Sequence, residues 1–582
     1  MKMRSVLLRL FVAMSLALFT TCTGKNDQDS TAARPSAQPG MEGRQLHTLA
    51  TEELIAEQIR NRIEAAGVVT ELRAGGEPVY ASLALPSFYV RRLYRPAWSD
   101  NHGPTRLVDD MVSALYRADL EGLRPKDYHL TAIETLLAAV RADARSGSVI
   151  VPDRWAELDL LLTDAFLVYG SHLLPGRVDP ETLKPIWVAN RRTADLAVKL
   201  EGALASGDIS GTLMTLAPPQ RGFRQLREAL VYHRAVASRG GWPAIPDGPT
   251  LKLGDYGATV AALRERLLIS RDLETMELDD AALFDDALEK ALKRFQKRHG
   301  LTATGAMDPL TRAELNVSAE RRVEQLELNL ERWRWLPQDL GHRHIIVNIA
   351  SFELEVMEED TVALAMRVVV GRPYHSTPVF SDTMRYLVLN PYWQVPRSIA
   401  VKELLPRLKR DPSYLGRQKM KIFRDIGLET QEVDPLTVDW STITPTDFSF
   451  RLRQDSGPIN ALGRIKFMFL NKFNVYLHDT PSRPLFEETQ RDFSHGCIRI
   501  QQPIELALYL LRQDSSWNSG ALLAALDKAV DRTVALPEPI PIHLLYWTAW
   551  ADKDGTIQFR RDIYGQDAPL LKALQAPSPA KV

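Results

Sequence analysis

Apolar residues recur at helical spacing over the first part of the chain and at strand spacing over the last. From Glu52 to about Trp242 the pattern is helical. Leu54, Ile55, Ile59 and Ile63 approximate one stripe, and Leu158, Leu161, Leu162, Ala165, Phe166 and Tyr169 make another. Gly122-Leu123-Arg124-Pro125 and Pro175-Gly176 break the pattern into several short helices. Gly240-Gly241-Trp242-Pro243 and Pro246-Asp247-Gly248-Pro249 read as a linker. Val260, Leu263, Leu267 and Leu268 then mark one amphipathic helix. Leu288, Ala291, Leu292 and Phe295 mark a second, at i, i+3, i+4 and i+7. A third starts at Asp308-Pro309-Leu310-Thr311, with Asp308 as N-cap and Pro309 at the first helical position.

From about His344 the period changes. Ile345–Ile349, Phe352–Met357, Ala363–Val370 and Tyr386–Leu389 alternate or run apolar, as strands do. Arg464–Phe469 alternates basic and apolar residues, and Asn474–Leu477 leads into His478. Val401–Lys421 interrupts this region with a charged helical pattern, and Pro503–Arg512 returns to helix. Residues after about Ser515 read as an accessory tail, with Trp547 and Trp550 packed onto the body.

At 582 residues the chain is too long for one core, so two to four domains are expected. The expected fold is multidomain α+β. It divides into a helical scaffold (51–248), a three-helix module (251–317), and a β-rich domain (340–514) with a helical insertion (about 400–446). A C-terminal accessory segment (515–582) completes it. A hydrophobic share of 45% with 25% charged residues argues against disorder over most of the length. The net charge of −1 gives no electrostatic case for a nucleic-acid partner, and the basic run Lys290–Arg298 reads as a solvated helix face.

Lys2, Arg4 and Arg9 precede the apolar run Leu10–Phe19, the order of an export signal, over residues 1–22. The run is shorter than the ~20 residues of a usual membrane span. Cys22 follows it. A cleaved signal, an uncleaved inner- or outer-membrane anchor and lipidation at Cys22 remain open, and each places the body of the chain across a membrane. Residues 23–50 read as a flexible tether.

Beyond that segment the chain has one cysteine, Cys497, within Ser494-His495-Gly496-Cys497-Ile498-Arg499. Together with His478 it suggests a nucleophile with imidazole partners. A free thiol, with a pKa of ~8.5, is only slightly ionised at neutral pH unless an imidazolium or aligned amides assist it. His478, brought from a neighbouring segment, is the favoured general acid/base. His495 is the favoured orienting residue, with the reverse assignment open. Gly496 permits close backbone approach, so the amides of Gly496 and Cys497 are oxyanion-hole candidates. Tyr476 shares the face of His478 in an extended strand; it lines the site or packs. Asp479 orients an imidazole or is a turn residue. Zinc would need three or four ligands, and neither Cys-x-x-Cys nor His-Glu-x-x-His occurs. No metal and no cofactor is expected.

His478, fifteen intervening residues and then Ser494–Arg499 resemble the signature of L,D-transpeptidases with a YkuD-type catalytic domain. Val368-Val369-Val370-Gly371, Thr377-Pro378-Val379-Phe380 and Asn390–Pro396 are similar to flanking segments of that family. Leu253–Leu315 resembles its peptidoglycan-binding module. Phe88–Trp98, Glu121–Tyr128 and Gly240–Pro243 resemble the scaffold of the large YcbB-like branch. The resemblance implies a periplasmic or cell-envelope cysteine acyltransferase of bacterial peptidoglycan, acting on donor and acceptor stem peptides. Cys497 would attack the third residue of a donor tetrapeptide, D-alanine would leave, and the amine of another stem would resolve the thioester to a 3→3 cross-link. Arg499, Tyr476 and Ser494 would contact substrate, with Arg499 holding a stem carboxylate or bracing the loop. Carbapenems would acylate the same thiol. The scaffold would offer a surface to wall-synthesis proteins. Stem trimming by a carboxypeptidase or endopeptidase, and a non-catalytic wall-binding scaffold, are the alternatives. The insertion is expected to cover the site, because excluding water favours amine over water at the thioester.

Overall fold

The computed structural model describes residues 42–577 apart from 67–70, 101, 147–150, 189–190, 275–279 and 427–428. The export segment, Cys22 and most of the expected tether lie outside the described residues. Among the described residues no helix is long and apolar enough to cross a membrane. The first helix, Glu42–Ala65, contains no proline and begins inside the span expected to be tether. Residues from Thr51 onward belong to one compact unit.

The helical region is built around Pro152–Leu173, whose residues from Leu158 to Gly170 are all buried. A helix apolar on every side demands such a position. Its two buried carboxylates are satisfied by backbone. Asp159 accepts from the Ala97 and Trp98 amides, and Asp164 from those of Tyr80 and Ala81. Unpaired, each would cost several kcal/mol, on the order of a buried charge without partners.

The three-helix module comprises Ala258–Ile269, Asp286–Arg298 and Pro309–Leu315 around Val260, Leu263, Leu288, Leu292 and Phe295. Asp308 caps the third helix by accepting the Thr311 amide at 2.7 Å.

The β-rich domain is one nine-stranded sheet. In chain order its strands are β1 (Arg343–Asn348), β2 (Glu353–Glu358), β3 (Thr361–Gly371), β4 (Phe380–Leu389), β5 (Ile465–Phe469), β6 (Leu477–His478), β7 (Asp492–Ser494), β8 (Ile498–Ile500) and β9 (Arg532–Leu545). The spatial order is β7-β3-β8-β6-β5-β4-β9-β1-β2, and β2 also pairs with β3, so the sheet closes on itself. The long β3 permits this. Its first half pairs with β2 and its last residues pair with β8 and β7.

Two expectations are corrected. Residues after Ser515 are not accessory. β9 lies between β4 and β1 inside the sheet, and Ile540, Ile542 and Leu544 are fully buried. Prolines at 537, 539 and 541 hid this strand in the sequence, and its register slips between Ala535 and Ile540. The insertion is only partly helical. Short helices between Arg397 and Arg417 are accompanied by a four-stranded sheet whose strand Trp393–Val395 precedes them and whose strands Met420–Ile426, Glu429–Val433 and Phe450–Gln454 follow. It has its own core of Leu404, Leu408, Leu415, Ile422, Trp440, Phe448 and Leu452.

Candidate functional site

Strand register puts the polar residues on one face. Lys466 of β5 pairs with His478 of β6, and His478 pairs with Arg499 of β8. Residues paired across strands share a face, as do residues two apart along a strand. Lys466, Tyr476, His478, Cys497 and Arg499 therefore share one face. Phe467, Leu477, Ile498 and Ile500 point the other way and are fully buried. The apolar half fixes the register, because a slip of one residue would exchange the two sets.

Cys497 is a free thiol, partly exposed. Its Sγ lies 3.8 Å from the Asn474 carbonyl, which the S–H can reach, and it also accepts from the Tyr476 hydroxyl. Burial pushes the thiol pKa up. The Tyr476 amide, then its hydroxyl, and the charges of Lys466 and Arg499 pull it down without reversing the direction. His478 is buried, and its Nδ1–H donates to its neighbour's carbonyl, Asp479 O, at 2.6 Å. Burial, with Arg499 next, brings its pKa down to about 3, while carbonyls of Asp479 and Leu462 oppose the shift. The resting pair is thus thiol and neutral imidazole, with Nδ1 carrying the proton.

The Asp479 carboxylate does not face the imidazole. It accepts the Arg464 amide at 2.9 Å, as a turn residue does. Ser494 is buried, and its hydroxyl is engaged by the loop. Its hydroxyl donates to Cys497 O at 2.6 Å and accepts the Gly496 amide at 3.1 Å. That second bond engages one of the two expected oxyanion donors. The Cys497 amide has no hydrogen-bond partner among the described residues and remains available. Gly496 has φ +116°, a conformation that favours glycine. His495 turns away from the thiol. Its Nε2 meets the Glu403 carboxylate of the insertion, and its ring lies 5.3 Å from that of His375. The Nε of Arg499 is buried without a hydrogen-bond partner among the described residues.

Lys466, Asn474, Arg372, His375, Glu403 and Thr377 were not singled out from sequence. The basic–apolar alternation of Arg464–Phe469 carried the signal for Lys466, whose ammonium sits 3.8 Å from the Tyr476 ring centre. Thr377, fully buried, donates to Gly496 O and accepts the Gly371 amide, each at 2.9 Å. Tyr564, from the C-terminal segment, donates to Gly371 O at 2.5 Å. Thr377→Val keeps the shape and strands two backbone groups. A loss of about 1–3 kcal/mol per unsatisfied group is expected, readable by urea unfolding. An unchanged midpoint would remove Thr377 from this role.

The described residues contain no group of three or more His, Cys, Asp or Glu side chains arranged to hold a metal ion.

A closed sheet presenting a cysteine and a histidine on one polar face, joined to a helical scaffold and a three-helix module, defines a multidomain cysteine-bearing α+β protein. The chain carries an L,D-transpeptidase catalytic domain. Residues 342–519 match the L,D-transpeptidase catalytic domain (YkuD), 83–230 the scaffold domain, and 257–315 the "Putative peptidoglycan binding domain". A Haemophilus influenzae protein named "Putative L,D-transpeptidase" is 34% identical over 248 residues, 43% of this chain and 49% of that relative. The chain thus spans about half the length of that curated relative. A crystal structure titled as the L,D-transpeptidase (residues 123–326) of Xylanimonas cellulosilytica is 16% identical. It covers 51% of this chain and 98% of its own, at a TM-score of 0.17. A Clostridium acetobutylicum structure titled as a fused Zn-dependent amidase/peptidase/peptidoglycan-binding protein is 13% identical. It covers 51% of this chain and 100% of its own, at 0.14. Scores so low carry no structural argument.

Proposed function

We propose that this protein forms 3→3 cross-links between peptidoglycan stem peptides through a thioester on Cys497. The single observation that carries the reading is the shared polar face of Cys497, His478 and Arg499, set by strand register. In this reading the sulfur attacks the carbonyl of the donor's third residue as its proton passes to His478. The developing oxyanion meets the open Cys497 amide. The tetrahedral intermediate then breaks its C–N bond, and His478 returns the proton to the departing D-alanine amine. An acceptor amine attacks the thioester, loses its proton to His478, and the thiol is released with that proton. Arg499, with Lys466 on the far side of His478, supplies positive charge for a stem carboxylate. The enzyme works in the cell envelope, reached through the N-terminal export segment.

The test is intact-mass spectrometry after mixing enzyme with tetrapeptide stem, with and without acceptor amine. An adduct lacking the mass of D-alanine, followed by a cross-linked dimer when acceptor is present, is expected. Adduct that yields only tripeptide in both conditions would establish a hydrolase instead. No adduct would favour a binding scaffold.

The resting protonation states set the pH dependence. His478 serves as base when neutral, and it is protonated only near pH 3. Carbapenem acylation is therefore expected to stay level from about pH 8 down to about pH 5, where an ordinary imidazole near ~6.5 would already have cut the rate severalfold. It should rise only at alkaline pH, as the raised thiol ionises. An acid limb near neutrality would refute this picture of His478.

A further inference from the structure

The module and the catalytic domain enclose a groove of about 1090 Å³ that belongs to neither alone. One wall is the end of helix Asp286–Arg298 and the turn Gly300–Ala303. The other is Arg372–Tyr374 with residues 487–493. The two walls are held together. The Arg560 guanidinium donates to Arg298 O at 2.9 Å, His299 stacks on Phe559 with ring centres 5.3 Å apart, and the Thr302 and Thr489 hydroxyls lie 3.3 Å apart. A groove built on such contacts exists before any ligand arrives.

Its Arg372 end adjoins the loop that carries the thiol. Asp492 and Phe493 line the groove and run through β7 directly into Ser494–Cys497. Arg372 donates its amide to Ser494 O at 3.0 Å, and its charge is felt at Arg499. Tyr374, 72% exposed, stands at that end.

The charges in the groove are unspent. Lys297, Arg372 and Arg561 make no ion pair among the described residues, and neither do Glu353, Glu488 and Asp492. The contrast is Arg367, which is closed by Glu487 at 2.8 Å. A neutral sugar strand would use none of these charges. A peptide with carboxylates and a free amine would use both signs. The space also exceeds the roughly 300–1,000 Å³ of ordinary small-molecule sites.

We propose that this groove seats the acceptor stem, a zwitterionic peptide, and delivers its amine to the flank of Cys497. The proposal rests on the transpeptidase reading above and adds the acceptor's path to it. Lys297 and Arg561 are exposed and away from the thiol face, so their variants separate acceptor binding from acylation.

The experiment uses the full chain with K297E/R561E and the milder K297A/R561A, checked by thermal melting. Carbapenem acylation of Cys497 should be unchanged. With soluble tetrapeptide as acceptor, the apparent KM for acceptor should rise about tenfold in the charge-reversed variant, as loss of charge-assisted contacts implies. The neutral variant should show a smaller rise, and hydrolysis of the thioester should increase in both. An unchanged acceptor KM overturns the proposal. So does a loss confined to pelleting with intact sacculi, which would make the groove a glycan site, or an equal fall in acylation. Failure of the unsubstituted enzyme to cross-link at all is a separate result and sinks the transpeptidase reading itself.

Discussion

Replacing His478 by glutamine is expected to slow acylation of Cys497 by about two to four orders of magnitude, the usual contribution of a positioned base. Cys497→Ala is expected to abolish the adduct altogether. The first effect is large because nothing else on the face can take the proton. The S–H is directed at the Asn474 carbonyl, and Tyr476, whose own pKa burial raises, donates toward the sulfur. Burial lowers the pKa of Lys466 against the charges of Cys497 and Asp531, and its ammonium lies over the Tyr476 ring, so its place on the face is that of a positive charge on Tyr476. His495 is engaged by Glu403.

The two histidines can be separated by experiment. If His495 were the base, H495Q would show the larger loss in acylation by carbapenem, read as adduct formation against time. His478→Gln also keeps a side chain able to donate toward Asp479 O, so its folding should survive. Equal small losses in both variants would mean that the thiol ionises unaided. The raised pKa of Cys497 argues against that.

Much of this was legible in the chain. The helical stripe of Leu158–Tyr169 lies in the buried central helix, and Asp308 caps its helix. The two-residue period of Arg464–Phe469 corresponds to β5, with Phe467 turned into the core. What could not be read was non-local. Nothing near Glu403 says that it meets His495, 92 residues away. The same holds for Thr377 and Gly496, 119 apart, which only the sheet brings together. β9 was missed because proline argues against a central strand, yet here the register slip between Ala535 and Ile540 leaves room for it. The depth of the ring's burial, which holds it neutral, is likewise a property of the closed sheet and not of the residues around His478 in sequence.

Excising the insertion is expected to lower the ratio of cross-linking to hydrolysis by about a hundredfold, the scale of losing acceptor orientation and water exclusion. The geometry offers a clean cut. Val395 and Leu452 are antiparallel neighbours, so a short turn can join Pro396 to Phe450 without disturbing the sheet that carries Cys497. The insertion's core is its own, which limits the damage to the remainder. Its reach to the site is through Glu403, which meets His495 in the loop ahead of Cys497, with Lys402 beside it. E403A should therefore reproduce part of the effect while leaving the fold intact. Acylation by a small β-lactam, which needs no acceptor, should change little in either variant. Partitioning is what should move, since water and amine compete only after the thioester exists. An unchanged ratio in the excised protein, with acylation preserved, would leave the insertion without a role over the site and return attention to the module side as the source of acceptor selectivity.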